Sequence, residues 1–323
     1  MILVEKPFLS VKTLNEAFST RSTHHRYEAW FIRLGLADGS GAWWLRYLLL
    51  NPASPGCPGN PSGMPVQVWA TWFPSGGIPQ SFIQGFGLDG LQLSAKGSSP
   101  FRLQIAENVM EENSCQGSLK VGEHVISWDL QFRSTFHVTL SSKGWIGFTR
   151  TPHSDAIFSG EIVLDGRKFS GSPLGFGVQG HNCGYRHRKF WTWTHAHFPC
   201  ANSSSSTFEA LAYEMPLGLI FRKAVLWHEG VQHVFRNLRD VEDDPETFSW
   251  HFRCSADDGL RLEATIDGSG AGIHALPYLK TSCKETFEVV NNSLARAEIR
   301  LEKHDAAVET LETTTGAVLE KGG

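Results

Sequence analysis

Residues 177–198, with the sequence GVQGHNCGYRHRKFWTWTHAHF, are the starting point for predicting the fold. In the last eight of them, WTWTHAHF, a tryptophan or a histidine stands at every second position. Because successive side chains of a β-strand point to opposite faces, Trp191, Trp193, His195 and His197 share one face. A strand with indoles and imidazoles along one side favours the wall of a pocket over plain surface.

Composition limits the class of protein. A chain of 323 residues is long enough for two domains or one large one. Its net charge of −4, without a basic patch interleaved with aromatics, argues against a nucleic-acid partner. The N-terminus has the wrong charges and too short an apolar run for a signal peptide. We therefore expect a cytoplasmic protein.

The pattern along the chain predicts an all-β fold. Short β runs broken by Gly, Pro, Ser and Asn fill most of the sequence, with short helices expected only near 12–19 and 105–112. Such strands, without intervening helices, indicate antiparallel barrels or sandwiches. Each half offers enough strands for one barrel, so we predict an N-terminal domain over 1–172 and a C-terminal domain over 173–323.

Several motifs, taken in order, resemble one superfamily. They are YEAWFIR at 27–33 followed by AWWLRYLLL at 42–50, FRLQIAENVM at 101–110, ISWDLQF at 126–132, and SGEIVLDG at 159–166 ahead of the stretch quoted above. This series is similar to the tocopherol cyclases, the carotenoid 1,2-hydratases and the AttH-like proteins. The chain departs from the pattern at Cys183, where relatives carry Trp, and at Gly180, where many carry Asp.

The resemblance implies two lipocalin-like antiparallel β-barrels with an apolar cavity. In that superfamily the cavity holds isoprenoid or polyketide-derived substrates. The chemistry is protonation-driven cyclisation, hydration of a double bond or, in some relatives, pericyclic ring closure. No cofactor is implied.

Glu28 is the best-placed carboxyl for such chemistry. Protonating an alkene needs an acid that stays neutral until use, and aromatic surroundings raise a carboxyl pKa by desolvation. Aromatic faces also stabilise the resulting cation. Glu28 lies between Tyr27 and Trp30 in the sequence and is our predicted catalytic acid. In the alternative, Glu28 closes the barrel by pairing with Arg186 or Arg188.

Three further residues complete the predicted catalytic set: His181, with Tyr185 and His195 in support. His195 and His197 share a strand face, but a metal would still need a third ligand and a second shell. The sequence shows no such partner, so we expect no metal. A hydrogen-bonding role for His195, in the cavity or at the domain seam, is favoured instead.

Aromatic side chains are predicted to form the substrate-binding wall. Most tryptophans in β-barrels belong to the core, but we expect some to face a ligand. The predicted substrate-binding residues are Trp30, Phe31, Trp44, Asn182, Trp191 and Trp193.

The sequence therefore predicts a cofactor-independent cyclase or hydratase acting on a hydrophobic isoprenoid or polyene. One alternative is a non-catalytic carrier of an apolar ligand, which a cavity lined only by apolar groups would favour. Another is a pericyclic, Diels–Alder-type cyclase that acts by positioning its substrate. A substrate of this kind also suggests transient membrane association to collect it. The oligomeric state is left open.

Overall fold

Two antiparallel β-sheets follow each other along the chain. The computed structural model describes residues 10–18, 26–50, 65–94, 100–142, 147–185, 187–199, 205–236, 238–242, 247–281, 285–303 and 306–323. Within these ranges, no helix combines the length and the hydropathy that crossing a bilayer would require.

The first sheet follows a short helix, α1 (Val11–Asn15). Its strands are β1 (Tyr27–Leu36), β2 (Gly41–Leu50), β3 (Val66–Pro74), β4 (Gln80–Phe86), β5 (Leu91–Leu93), β6 (Arg102–Ile105), β7 (Asn108–Glu111), β8 (Ser114–Val121), β9 (His124–Arg133), β10 (Val138–Ser142), β11 (Gly147–Leu164) and β12 (Arg167–Gly184). The order is β4-β3-β2-β1-β12-β11-β9-β8-β7-β6-β5, with β10 paired to β11. The backbone N–H of Lys120 on β8 donates to Oε1 of Gln84 on β4, so the sheet curves round on itself.

The second sheet is built in the same way. Its strands are β13 (Trp191–Phe198), β14 (Ser206–Glu214), β15 (Ile220–His228), β16 (Val231–Phe235), β17 (Arg239–Glu242), β18 (Ser249–Ser255), β19 (Leu260–Asp267), β20 (His274–Leu279), β21 (Thr286–Lys303) and β22 (Ala306–Gly322). The order is β16-β15-β14-β13-β22-β21-β19-β18-β17, with β20 paired to β21. A bridge between Phe235 and Ala256 brings the end of β16 to the end of β18.

Each sheet encloses an apolar core, and a third apolar layer lies between the sheets. Trp30 and Trp128 belong to the first core, and Phe252 to the second. The layer between the sheets includes Phe31 and Trp193. Burying each large apolar side chain contributes roughly 1.5–3 kcal/mol, so this layer holds the two sheets against each other.

The prediction of an all-β chain with two antiparallel domains is confirmed, and two local expectations need correction. Residues 105–112 form the β6–β7 hairpin instead of a helix, with Ala106 at a φ of 51° in its turn. The boundary expected near residue 172 lies inside β12, because residues 175–184 pair with β1. The first sheet therefore continues to Gly184, and the first strand of the second sheet begins at Trp191.

Arg33 ties the two sheets together. Its side chain leaves β1 and is fully buried. The guanidinium donates hydrogen bonds to the carbonyl oxygens of Ser293, Thr315, Gly316 and Ala317, all on the long strands of the second sheet. Burial lowers the pKa of Arg33 to about 9. These carbonyls replace much of the hydration that the buried cation loses.

Candidate active site

A cavity of about 270 Å³ lies in the apolar layer between the two sheets, and we call it the seam cavity. The first sheet contributes residues of β1, β2 and β12 to its wall. The second sheet contributes residues of β13, β14, β20 and β22. The site therefore exists only where the two sheets meet.

Strand alternation decides which side chains reach the seam cavity. Along β1, Tyr27, Ala29 and Phe31 line the cavity, whereas Trp30 lies in the first core. Glu28 lies on the same side of β1 as Trp30, because successive side chains point to opposite faces. The cavity and the predicted acid are therefore on opposite faces of one strand.

Three aromatic rings form the apolar part of the wall. The rings of Phe31 and Trp44 are parallel within 4° and their centroids are 5.3 Å apart. Trp193, from the second sheet, meets both rings edge-on at centroid distances of 5.5 and 5.9 Å. Offset-parallel and edge-on contacts are the favourable arrangements for aromatic pairs, so the three rings stabilise one another.

Glu320 on β22 is the carboxyl that lines the seam cavity. Trp191 Nε1 donates to its Oε1 at 3.1 Å, and Tyr278 Oη and Asn291 Nδ2 donate to its Oε2 at 3.1 and 3.3 Å. The side chain is 8% exposed, and burial raises the pKa of Glu320 although the three hydrogen bonds and the charge of Arg46 oppose the shift. Desolvation disfavours the carboxylate more than these donors favour it.

Arg46 and His187 add polar groups to the same wall. The guanidinium carbon of Arg46 lies 3.9 Å from the ring centroid of Tyr278 and 5.1 Å from that of Trp69. His187 stacks on Tyr27, with centroids 4.1 Å apart. Burial, with a smaller effect from the charge of Arg46, lowers the pKa of His187 to about 3, so its imidazole is neutral at physiological pH.

Glu28 and His181 form a buried pair outside the seam cavity. Nε2 of His181 is 2.9 Å from Oε1 of Glu28, and both side chains are fully buried. The same oxygen accepts the backbone N–H of Phe18 at 2.8 Å. Nδ1 of His181 is 2.7 Å from the carbonyl oxygen of Leu14, so Nδ1 is the nitrogen that donates there. The indole of Trp30 covers the imidazole at a centroid distance of 4.5 Å.

This position does not support the catalytic role predicted for Glu28 and His181. They join α1 to β1 and β12 inside the first domain, whereas the cavity lies on the other face. Arg188, one of the two arginines considered as partners of Glu28, lies over the ring of Tyr213 at 4.8 Å. The other, Arg186, lies outside the described residues.

Tyr185 and His195 have different positions. Tyr185 lines the seam cavity, with the guanidinium carbon of Arg26 4.0 Å from its ring centroid. His195 is fully buried at the domain seam, where its Nε2 donates to the carbonyl oxygen of Ser154 at 2.7 Å. Burial lowers the pKa of His195 to about 3, so it is neutral and acts as a hydrogen-bond donor between the sheets.

A second buried carboxyl, Glu209, lies behind the aromatic wall. It accepts hydrogen bonds from Trp193 Nε1 at 3.1 Å, Thr151 Oγ1 at 2.7 Å and Ser154 Oγ at 3.3 Å. Burial raises the pKa of Glu209 to about 7. Since Thr151 and Ser154 belong to the first sheet, Glu209 also connects the two domains.

Most of the predicted substrate-binding residues surround the seam cavity. Phe31, Trp44, Asn182, Trp191 and Trp193 all line it. Trp30, the sixth, belongs to the core of the first domain instead. In the part of the chain that the structure describes, no three His, Cys, Asp or Glu side chains converge as metal ligands would.

Sequence reasoning missed Arg46, Tyr278 and Glu320. Arg46 is visible in the sequence as the lone charge in the apolar run AWWLRYLLL, whereas Glu320 in GAVLEK stands next to Lys321 and is less conspicuous. A charge inside a strand that is apolar on both faces signals a buried polar group. For Tyr278, in the segment HALPYL, we find no comparable signal.

These features define the class of protein as a two-domain, lipocalin-like β-protein with an apolar cavity at the domain seam. Among solved structures it is similar to CghA, with a TM-score of 0.59, 10% identity, and 92% of this chain and 88% of that chain covered. It also resembles a putative AttH protein from Nitrosomonas europaea, with a TM-score of 0.52, 11% identity, and coverages of 100% and 98%.

Kievitone hydratase from Nectria haematococca is a third similar structure, with a TM-score of 0.50, 8% identity, and coverages of 97% and 94%. Neither a family model nor a curated protein sequence matches the chain. The resemblance seen in the sequence motifs is thus confirmed as a shared fold. At these identities the likeness establishes the architecture alone.

Proposed function

We propose that the protein is a cofactor-independent enzyme that protonates a hydrophobic isoprenoid or polyene in the seam cavity, leading to cyclisation or hydration. The observation that carries this proposal is the position of Glu320: a buried carboxyl with a raised pKa, in a cavity walled by aromatic rings. A neutral carboxyl near a water-poor, aromatic surface is what alkene protonation requires.

In the proposed reaction Glu320 is the general acid. Its proton goes to one alkene carbon, and the other alkene carbon becomes a carbocation next to the rings of Phe31, Trp44 and Trp193. The ring faces stabilise that cation through their quadrupoles. In cyclisation, a second double bond of the same molecule attacks the cation, and a carbon-bound proton returns to Glu320. In hydration, water attacks instead, and the proton that water loses returns to the same carboxylate.

Hydration gains support from the likeness to kievitone hydratase, whose name describes that class of reaction. A non-catalytic carrier is less well supported, because the cavity is not lined only by apolar groups. Glu320, Arg46 and Tyr278 all contribute to its wall.

Pericyclic ring closure is a second candidate. The rings of Phe31, Trp44 and Trp193 form an aromatic wall against which an extended polyene can be held in a folded conformation. Such a reaction needs positioning and no proton transfer. It predicts that the carboxyl of Glu320 can be replaced without loss of rate.

The experiment that tests the proposal is turnover in heavy water. The purified protein is incubated with a lipid extract of the source cells in H₂O and in D₂O, and new products are found by untargeted mass spectrometry. Protonation at carbon predicts a product carrying one non-exchangeable deuterium. A product without deuterium would favour pericyclic closure, and bound ligand without any product would favour the carrier.

Glu320→Gln should abolish the deuterated product, because the amide keeps the shape of the side chain but has no acidic proton. Glu28→Gln is the matched control, since Glu28 is also a buried glutamate but lies on the face of β1 turned away from the seam cavity. Wild-type rates in Glu320→Gln would overturn the assignment. Equal thermal stability of Glu320→Gln and the wild type shows that the loss is chemical and not a loss of fold.

A further inference from the structure

Arg46 is a buried cation on the wall of the seam cavity. It lies on β2 opposite Phe31 of β1, in the strand that supplies Trp44 to the aromatic wall. Its side chain is 4% exposed. A guanidinium that has lost its hydration needs hydrogen-bond acceptors, preferably an anion, to recover the lost free energy.

The charge of Arg46 acts on the carboxyl of Glu320 and lowers its pKa, but no described residue gives Nη1 of Arg46 a hydrogen-bonded anion. That nitrogen is buried and has no hydrogen-bond partner of any kind among the described residues. The guanidinium instead lies over the rings of Tyr278 and Trp69. Arg33 shows the contrast, because its Nη1 and Nη2 donate to four backbone carbonyls and only its Nε lacks a partner among the described residues. The two buried arginines therefore differ in function. Arg33 hydrogen-bonds to the backbone of the second sheet, whereas Arg46 has a donor, Nη1, without a partner on the described part of the cavity wall.

The ionisable groups near Arg46 do not provide a hydrogen-bonded anion for its guanidinium either. The oxygens of Glu320 are held by Trp191, Tyr278 and Asn291. Neither ring nitrogen of His187 has a partner in the described structure. A neutral imidazole offers no negative charge to the guanidinium, so the requirement for an anion remains.

Two more polar atoms on this wall lack partners among the described residues. Nε1 of Trp44 is a buried donor, and Oδ1 of Asn182 is a buried acceptor. Trp44 and Arg46 are two residues apart on one face of β2, which places their Cα atoms roughly 6.6 Å apart. Both side chains are long enough to reach one small head group. The polar end of the cavity is therefore the part where Arg46, Trp44 and Asn182 have buried hydrogen-bonding atoms without partners among the described residues.

We infer that Arg46 binds the carboxylate of a hydrophobic organic acid, whose hydrocarbon part lies against Phe31, Trp44 and Trp193. Paired N–H donors of a guanidinium match the two oxygens of a carboxylate, and such charge-assisted bonds are the strong ones. This inference names the substrate class for the proposed function and rests on it only in assuming that the seam cavity binds the ligand.

The test compares an acid with its uncharged ester. Farnesoic acid and methyl farnesoate share a linear isoprenoid chain and differ in the charge of the head group. Their binding to the full chain is measured by isothermal titration calorimetry at pH 7.5. We expect the wild type to prefer the acid by about tenfold or more, as a charge-assisted hydrogen bond in a buried site predicts. Equal affinity for acid and ester, or no binding of either, would overturn the inference.

Arg46→Met should remove the preference, because methionine keeps an unbranched apolar side chain but carries no charge. Arg46→Lys retains the charge and should keep part of the preference. The matched control is Arg150→Met, since the guanidinium carbon of Arg150 also lies 3.9 Å from an aromatic centroid, that of Phe148, but Arg150 does not line the cavity. A preference that survives in Arg46→Met, or disappears in Arg150→Met, would contradict the role of Arg46.

Failure of this inference can be told apart from failure of the proposed function. Binding of the acid needs Arg46 and no turnover, whereas deuterium incorporation needs Glu320. Acid preference without turnover would leave a carrier of an amphipathic acid. Turnover without acid preference would leave the enzyme with an uncharged substrate.

Discussion

Nε2 of His181 lies 2.9 Å from Oε1 of Glu28, and this fully buried contact crosses from β12 to β1 on the face turned away from the seam cavity. The two residues are 153 positions apart in the chain. The backbone of Leu14 and Phe18 completes the arrangement from the N-terminal segment. The pair thus fixes that segment against the first sheet.

Replacing Glu28 by Gln should therefore affect stability more than chemistry. The variant leaves a buried hydrogen-bonded pair imperfectly matched, so we expect the free energy of unfolding to fall by about 1–3 kcal/mol. Product formation per folded molecule should stay within a few-fold of the wild type. Chemical denaturation and the turnover assay measure the two effects. A folded Glu28→Gln protein without turnover would restore the catalytic role predicted from the sequence.

The strand faces were predictable from the sequence because they depend on local geometry. In WTWTHAHF the period of two assigned Trp191 and Trp193 to one face and Ala196 and Phe198 to the other. The structure places the first pair on the cavity and the second pair in the core of the second domain. This signal depends only on neighbouring residues, so a single sequence is enough to assign the two faces.

Long-range pairing was not predictable in the same way. The expected boundary near residue 172 followed a local turn signal, but β12 continues because residues 175–184 pair with β1. Glu28 was predicted as the acid from its aromatic neighbours in the sequence, but it lies on the face of β1 turned away from the seam cavity, for a similar reason. Which face of β1 meets the second sheet depends on contacts between the domains, and no local pattern encodes them.

Glu209 should make stability depend on pH near neutrality. Burial raises its pKa from 4.5 to about 7 in the folded protein. Between these values the unfolded chain has lost the proton and the folded protein keeps it, so stability falls as the pH rises. The loss is complete above about pH 7 and amounts to about 3 kcal/mol.

Glu209→Gln isolates this effect. The free energy of unfolding of wild type and variant is measured by denaturant titration from pH 4.5 to 8. The wild type should lose about 3 kcal/mol relative to the variant over that range. A constant difference between the two proteins would show that Glu209 titrates normally in the fold.

His197 should have the opposite dependence. Its side chain is 3% exposed, neither ring nitrogen has a hydrogen-bond partner among the described residues, and its ring lies parallel to that of Phe176 at 4.7 Å. Burial, assisted by the charge of Arg33, lowers the pKa of His197 to about 4. Below pH 6.5 the imidazole is protonated in the unfolded chain, whereas in the folded protein it stays neutral down to about pH 4. Stability therefore falls as the pH falls through this range.

His197→Phe should remove this acid sensitivity, because phenylalanine keeps the stack on Phe176 and cannot be protonated. Relative to the wild type, the variant should gain about 2 kcal/mol more at pH 5 than at pH 8. Comparing the two pH values cancels any change in packing, which is the same at both. Denaturant titration of both proteins at these pH values measures the difference. An equal effect at pH 5 and pH 8 would mean that His197 is protonated as readily in the folded protein as in the unfolded chain.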